Sequence, residues 1–210
     1  MSYKVKEIFY TLQGEGVHTG RAAVFVRFAG CNLWSGRESD RGFGIGSCSS
    51  WCDTDFTGGD TVPTALALVG KALDVWGNST DSKNRFVVLT GGEPALQVDS
   101  TLCAALQANG FYVSIETNGT CDLPDGIDWI CCSPKTGRPL KLKGCDELKV
   151  VYPQSTWLSP NDYADQISYI WKTVSPLDGH PNSLQACVEF CKQNPGWRLS
   201  LQTHKILGLA

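Results

Sequence analysis

Short apolar strands alternate along this chain with amphipathic helices, and nearly every strand runs into a small polar motif. That alternation limits the fold more than any other feature. Segments 4–9, 22–28, 86–90, 111–116, 127–132, 146–151, 167–173 and 198–203 are mostly β-branched or aromatic runs bounded by Gly, Pro or Asn, and read as strands. Segments 63–76, 97–109, 161–166 and 182–193 read as helices. In the first helix the apolar residues fall at helical spacing and Pro63 suits the first turn. In the second, Asp99 is placed to cap the start and Asn109-Gly110 to stop the end. Stretches 32–50, 152–162 and 174–183 read as loops. The pattern predicts an α/β fold with a largely parallel sheet or partial barrel. At 210 residues the chain is expected to form one domain, 1–210, with an extended loop at 31–52.

In parallel sheets and barrels, ligands bind beyond the carboxyl ends of the strands. Strand 86–90 runs into GGEP and strand 111–116 into ETNG. Strand 127–132 runs into SPK, strand 167–173 into SPLDG and strand 198–203 into QTHK, while Lys149 lies inside ELKVV. Loops are polar in any fold, so one such motif carries little. Their repetition at successive strand ends predicts a single convergent site.

Composition narrows the function. A net charge of −3 gives no basic field for nucleic acid. No apolar run approaches the roughly 18 residues that span a bilayer, and MSYKVKEIFY lacks the apolar core of a signal peptide. The expected location is the cytoplasm, away from membranes. Ten cysteines in a chain this long and rich in strands do not suit a disulfide scaffold; in a reducing compartment such clustering points to metal or redox chemistry.

Cys31, Cys48 and Cys52 carry that chemistry. They are separated by sixteen and then three residues, between the apolar run AVFVRFAG and CDTDFTG. Soft thiolates favour Fe–S clusters or zinc. Three of them can hold three irons of a 4Fe–4S cube and leave the fourth open to a small molecule. Three unconnected core cysteines, or a zinc site completed by histidine, are the alternatives. The Gly-rich, charged segment between them is poor core sequence and favours a metal or cluster. Downstream, the two glycines of Thr90-Gly91-Gly92-Glu93-Pro94 let the backbone approach a ligand, Glu93 can orient a cation or amine, and Pro94 sets the turn. Cys103, Cys121, Cys131, Cys132, Cys145, Cys187 and Cys191 are read as core or surface thiols, and His18 and His180 as structural.

The three cysteines followed by TGGEP resemble the radical SAM superfamily over essentially the whole chain. More finely, EIFYTLQGEG (7–16), FVRFAGCNLWSGRE (25–38), CDTDF (52–56), TGGEP, ETNG, SPK, ELKVV and RLSLQTHK are similar to the 7-carboxy-7-deazaguanine synthase family. Both cysteine gaps are longer than the usual spacing, and Trp51, inside the second, is expected to shield the cluster.

The resemblance implies a reduced, partial (β/α) barrel, a homodimer and an electron donor such as flavodoxin or ferredoxin. It implies a 4Fe–4S cluster on Cys31, Cys48 and Cys52. S-adenosylmethionine would lie against Thr90, Gly91, Gly92 and Glu93, with Glu116 and Asn118. Ser133, Pro134 and Lys135 would join it, as would Ser175, Pro176, Leu177 and Asp178. Thr54 would help bind Mg²⁺, a cation that prefers hard oxygens.

The substrate would be 6-carboxy-5,6,7,8-tetrahydropterin, held by Leu12, Gln13, Gly14, Glu15, Arg27, Thr90, His204 and the terminal Ala210. The carboxamide of Gln13 and the carboxylate of Glu15 complement a pterin's amide and amino edge; a hairpin turn is the plainer reading of LQGEG. Arg27 would take the substrate carboxylate bidentately, unless it forms a structural ion pair. A deoxyadenosyl radical would take the C6 hydrogen, the ring would contract, and ammonia would leave. No side chain is expected to be catalytic, because the cofactor carries the chemistry. A glycyl-radical activase and a zinc-bound interaction module are the other functions weighed.

Overall fold

The structure, a computed structural model, describes residues 1–77, 82–154 and 158–209. One nine-stranded sheet organises it: β1 (Tyr3–Leu12), β2 (Ala22–Phe28), β3 (Asp60–Val62), β4 (Phe86–Gly91), β5 (Tyr112–Thr117), β6 (Trp129–Cys132), β7 (Gly144–Tyr152), β8 (Ser168–Pro176) and β9 (Arg198–Leu199). Their spatial order is β3-β1-β2-β4-β5-β6-β7-β8-β9. From β2 to β9 every neighbour is parallel, while β1 pairs antiparallel with both β2 and β3. The fold is therefore mixed α/β, and among the described residues the sheet stays open, with β3 and β9 at its edges.

Helices α1 (Ala65–Trp76), α2 (Ser100–Ala108), α3 (Pro160–Ala164) and α4 (Ser183–Gln193) cover one face, and a short α5 (Thr203–Leu207) ends the described chain. Thr64 caps α1 by accepting from Ala67 N at 3.1 Å. Asp99 caps α2 in the same way from Leu102 N at 2.8 Å. Under α1 and α2 lie Val24, Val26, Phe28, Val87, Leu89, Val113 and Ile115; a second core packs Leu148, Val150 and Val174 with Tyr163, Cys187 and Trp197.

Side chains on a strand alternate between faces, so the inner face is set by the intervening residues. Paired registers place Phe86, Val88 and Thr90 beside Tyr112, Ser114 and Glu116, then Cys131, then Glu147 and Lys149, then Thr173. This face is aromatic where the parallel strands begin and charged where they end. At the apolar end the β1–β2 loop packs inside: the His18 ring lies 4.5 Å from Trp129 and 5.1 Å from Phe86, and Arg21 covers Phe86 at 4.0 Å. The opening is left at the polar end.

Several boundaries differ from expectation. The predicted strand 198–203 stops at Leu199, because Thr203 N and Oγ1 both bond to Gly14 O at 2.9 Å and turn the tail into α5. Strand β8 continues to Pro176, so Ser175 and Pro176 belong to the strand and not to the loop 174–183. Residues 94–96 form a 3-10 turn ahead of α2, and β3, which pairs with the first residues of β1, had no signal in the sequence. Loop 32–50 holds two 3-10 turns, Glu38–Asp40 and Ser47–Ser50. No helix among the described residues is long and apolar enough to cross a membrane.

Asp99 also accepts from Tyr3 Oη at 2.9 Å, fastening β1 to α2. Asp99→Ala removes a cap and strands a largely buried phenol, so equilibrium urea unfolding should show a loss of about 1–3 kcal/mol, more than Tyr3→Phe loses.

Candidate active site

A cavity of about 490 Å³ opens at the carboxyl ends of the parallel strands. Twenty of the predicted site residues line it. Glu93, Pro134 and Ser175 do not, and Ala210 lies outside the described residues.

The three cysteines reach the cavity from one continuous segment. Cys31 follows β2, Cys48 sits in the Ser47–Ser50 turn, and Cys52 closes that turn, its N–H donating to Cys48 O at 2.7 Å. Burial pushes the Cys31 thiol up and Cys48 to about 11; neighbouring Cys52 raises both further, while Lys135 opposes the rise at Cys48. Among the described residues no three His, Cys, Asp or Glu groups gather closely enough to hold a single ion. Three thiols spread around one cavity suit a polynuclear cluster, so the donor set fits a 4Fe–4S group. Trp51 lines the same wall, with Lys135 Nζ 5.8 Å from its ring.

The glycines after β4 bring the backbone to this segment. A Cβ on Gly91, whose φ is +144°, would lie 2.2 Å from Phe28 O, and one on Gly92 would lie 2.3 Å from Gly30 O. Only glycine allows that approach. Glu93 is wholly buried, and its carboxylate accepts from Thr117 Oγ1 and Asn118 N at 2.7 Å and from Ala95 N at 3.0 Å. Burial raises its pKa and these hydrogen bonds oppose the rise. Its side chain ties β4 to β5, and the motif offers the cavity Thr90, Gly91 and Gly92. Asn118 continues the link by donating to Asn32 Oδ1 at 3.0 Å, beside Cys31.

Ser133 and Lys135 also line this end, with Lys135 Nζ donating to Ser133 O at 2.8 Å and to its Oγ at 2.6 Å. Pro134 is buried behind them, its carbonyl accepting from Gln154 Nε2 at 2.9 Å. Pro176, Leu177 and Asp178 form the adjacent rim, while Ser175 is buried in β8. Lys205 of α5 bridges that rim to the segment after the cysteines, 2.6 Å from Asp178 and 2.5 Å from Asp53. Thr54 lines the cavity next to Asp53.

Across the cavity, Leu12, Gln13, Gly14 and Glu15 enter from the β1–β2 loop. Gln13 Nε2 donates to Glu116 at 3.3 Å and its Oε1 accepts from Glu15 N at 3.1 Å. A Cβ on Gly14 would lie 2.2 Å from His204 Nδ1, which is why α5 can sit against this loop. Arg27 faces the cavity but is paired, its Nε 2.7 Å from Glu7 Oε1. The ion pair uses Nε and leaves the terminal nitrogens of Arg27 outside that bond.

Sequence reasoning placed Lys149 and Gln202 in the motifs expected to converge but gave neither a role. Lys149 Nζ lies 2.7 Å from Glu15 and 2.9 Å from Glu116, with only 7% of its side chain exposed. Gln202 donates to Glu15 at 3.0 Å. Burial works against Glu15's charge, but Lys149 and then Gln202 outweigh it and hold the carboxyl down to about 2. Burial raises Glu116, with Lys149 opposing. Desolvation disfavours the Lys149 ammonium, yet Glu116 and Glu15 drive its pKa well above the usual lysine value. A lone lysine among the apolar residues of a parallel strand was the available signal for a buried ion.

No family model matches the chain. Curated relatives match it end to end. The 7-carboxy-7-deazaguanine synthase of Bradyrhizobium diazoefficiens is 50% identical, covering 100% of both chains. Those of Burkholderia multivorans and Nitratidesulfovibrio vulgaris are 49% and 45% identical over the same full coverage. The chain belongs to the 7-carboxy-7-deazaguanine synthase family. The crystal structure of QueE from Escherichia coli agrees in fold, with a TM-score of 0.64 at 25% identity, covering 96% of this chain and 94% of that one. Membership in this radical SAM family makes 4Fe–4S and S-adenosylmethionine the cofactors, and the cysteine-lined cavity has the donors for them.

Two outcomes follow from this geometry. Glu93→Gln puts an amide N–H₂ where only acceptors fit, so it should cost about 1–3 kcal/mol in urea unfolding and weaken S-adenosylmethionine binding through the displaced loop. Glu15 has a depressed pKa, so the stability it contributes is full above the unfolded-state value of 4.5 and is lost as pH falls toward 2. The stability difference between wild type and Glu15→Gln should accordingly be largest above pH 5 and shrink in acid.

Proposed function

We propose that this protein converts 6-carboxy-5,6,7,8-tetrahydropterin to 7-carboxy-7-deazaguanine with release of ammonia, as a radical SAM lyase of queuosine-type 7-deazapurine biosynthesis. One observation carries the reading: the cysteine segment, the glycine turn after β4 and the polar groups of the β1–β2 loop all line the same cavity. Family identity over the full chain removes the support for an activase or a zinc module.

When bound, the cluster supplies the electron that cleaves S-adenosylmethionine and so starts the radical chemistry on the substrate. The protein's own residues do the rest by holding and enclosing. Cys31, Cys48 and Cys52 hold the cluster. The backbone at Gly91 and Gly92, with Ser133, Lys135 and the rim at Pro176, Leu177 and Asp178, receives S-adenosylmethionine. Glu93, Pro134 and Ser175 support that surface from behind. Gln13 and Glu15 meet the pterin's amide and amino edge, with Glu116 and Asn118 at the boundary between the two ligands. Arg27 meets the substrate carboxylate, Thr90 and His204 close the remaining sides, and Leu12 and Gly14 shape the wall. Thr54, with a hard hydroxyl oxygen at the cavity edge, takes part in a Mg²⁺ shell completed by substrate. Trp51 keeps water from the cluster. The terminal Ala210 follows α5, whose His204 already faces the cavity.

The same reading takes the open sheet as a reduced, partial barrel forming one domain, 1–210. It makes the enzyme a cytoplasmic homodimer served by a flavodoxin or ferredoxin, with no role for nucleic acid or membrane.

Anaerobic turnover of the carboxypterin with S-adenosylmethionine and dithionite tests the reading directly; no 7-carboxy-7-deazaguanine from a fully reconstituted enzyme would overturn it. The Cys31/Cys48/Cys52→Ala variant should hold no cluster iron and cleave no S-adenosylmethionine, whereas Cys187/Cys191→Ala should retain both. Arg27→Lys keeps the charge but loses the planar fork. It should cut carboxypterin turnover at least tenfold, a loss comparable to a charge-assisted hydrogen bond, while the cluster remains.

A further inference from the structure

Among the described residues, Lys149 is the one cation set between the partly buried acids Glu15 and Glu116 of the cavity floor, and the functional reading gives it no task. It projects from β7 on the inner face of the sheet, two residues beyond Glu147. Its ammonium joins two carboxylates that arrive on different elements, Glu15 on the β1–β2 loop at 2.7 Å and Glu116 on β5 at 2.9 Å. Each carboxylate spends its other oxygen on a carboxamide: Glu15 accepts from Gln202 at 3.0 Å and Glu116 from Gln13 at 3.3 Å. One ammonium therefore lies at the centre of the polar groups that face the pterin.

The surrounding charge makes that ammonium necessary. Glu147 lies below it, its two oxygens taken by Thr173 Oγ1 at 2.8 Å and Val17 N at 3.0 Å. The Cys131 thiol of β6 packs against Glu116 and Lys149, and His204 of α5 faces Glu15. With Lys149 gone, Glu15, Glu116 and Glu147 would share a confined, poorly solvated space with no ammonium among them. Crowded carboxylates cannot all stay ionised; one takes a proton. A protonated carboxyl presents an O–H to the pterin's N–H donors, and the match is lost.

We propose that Lys149 is a positioning residue that keeps Glu15 ionised and aims Glu15 and Glu116 together at the donor edge of the pterin. This rests on the carboxypterin reading above and adds the group on which its recognition depends. Lys149 lines the cavity but acts through the two glutamates.

The test uses reconstituted holoenzyme with S-adenosylmethionine, dithionite and the carboxypterin. Wild-type turnover is measured first, and its absence would sink the substrate reading, not the role of Lys149 alone. Lys149→Met should raise the KM for the pterin about ten- to a hundredfold, the scale of a lost charge-assisted contact, with a smaller change in kcat. Its kcat/KM should also gain a limb that rises with pH between about 6 and 8, as carboxyls freed of their cation titrate near neutrality. Wild type should lack that limb. Lys149→Arg, which keeps the charge, should abolish it again. Lys149→Gln should reproduce the effect if the methionine variant does not fold. An unchanged pterin KM with no new limb would overturn the proposal. So would parallel loss of cluster absorbance and S-adenosylmethionine binding in both single variants, which would mark Lys149 as a general structural ion.

Discussion

The carboxylate of Glu93 has no contact with water, and the architecture of the cavity mouth depends on it. Its three hydrogen bonds reach the turn after β4 and the end of β5. A buried carboxylate left unpaired would be very costly; here it is satisfied by groups that must all be in place together. Once they are, Gly91 and Gly92 lie against the end of β2, and Cys31 is delivered to the cavity one residue beyond Gly30. The cysteine segment is anchored again where Ser47 N donates to Thr136 O at 2.9 Å, beside the Ser133–Lys135 motif. Three strand ends are thereby held in register around one space.

The second organising feature is the gradient along the sheet's inner face. The outer face is apolar and packs under helices, as a parallel sheet requires. The inner face starts with Phe86, Tyr112 and Trp129, sealed by His18 and Arg21, and ends in Glu116, Lys149 and Thr90. One end is therefore filled and the other open. The β1–β2 loop serves both ends, with His18 in the aromatic plug and Gln13 and Glu15 in the site. Gly16 permits this path, because a Cβ there would lie 2.6 Å from the carboxylate of Glu147.

Much of this was legible beforehand. Local patterns placed β1, β2, β4 and β5, the helix α1 and the cap at Asp99 to within a few residues, because apolar periodicity and cap chemistry act over short range; Pro63, expected in the first turn of α1, instead precedes its cap, Thr64. Cys31, Cys48, Cys52 and the glycine turn announced themselves by residue type, since few roles other than ligation or close backbone approach suit them. The tail was misread as strand 198–203 because Leu199 and Leu201 alternate as in a strand, whereas the bonds from Thr203 to Gly14, nearly the whole chain length away in sequence, bend it into a helix. Strand β3 escaped notice because three residues carry no period of their own.

By itself, then, the sequence determined which residue types were available for the chemistry, the alternation of elements, and the strand ends where polar groups would gather. Those properties are local, written in side-chain type and spacing. Only the tertiary structure decided what each polar group does. Glu93 and Glu15 look alike in a sequence, yet one is sealed behind the cavity wall and the other faces into the cavity beside an ammonium. Lys149 reads as one lysine among apolar neighbours until the register of β5, β6 and β7 brings Glu116 beside it and the returning loop brings Glu15. Burial and partnership set the charge and reach of an ionisable group, and both arise from segments distant in sequence meeting in space.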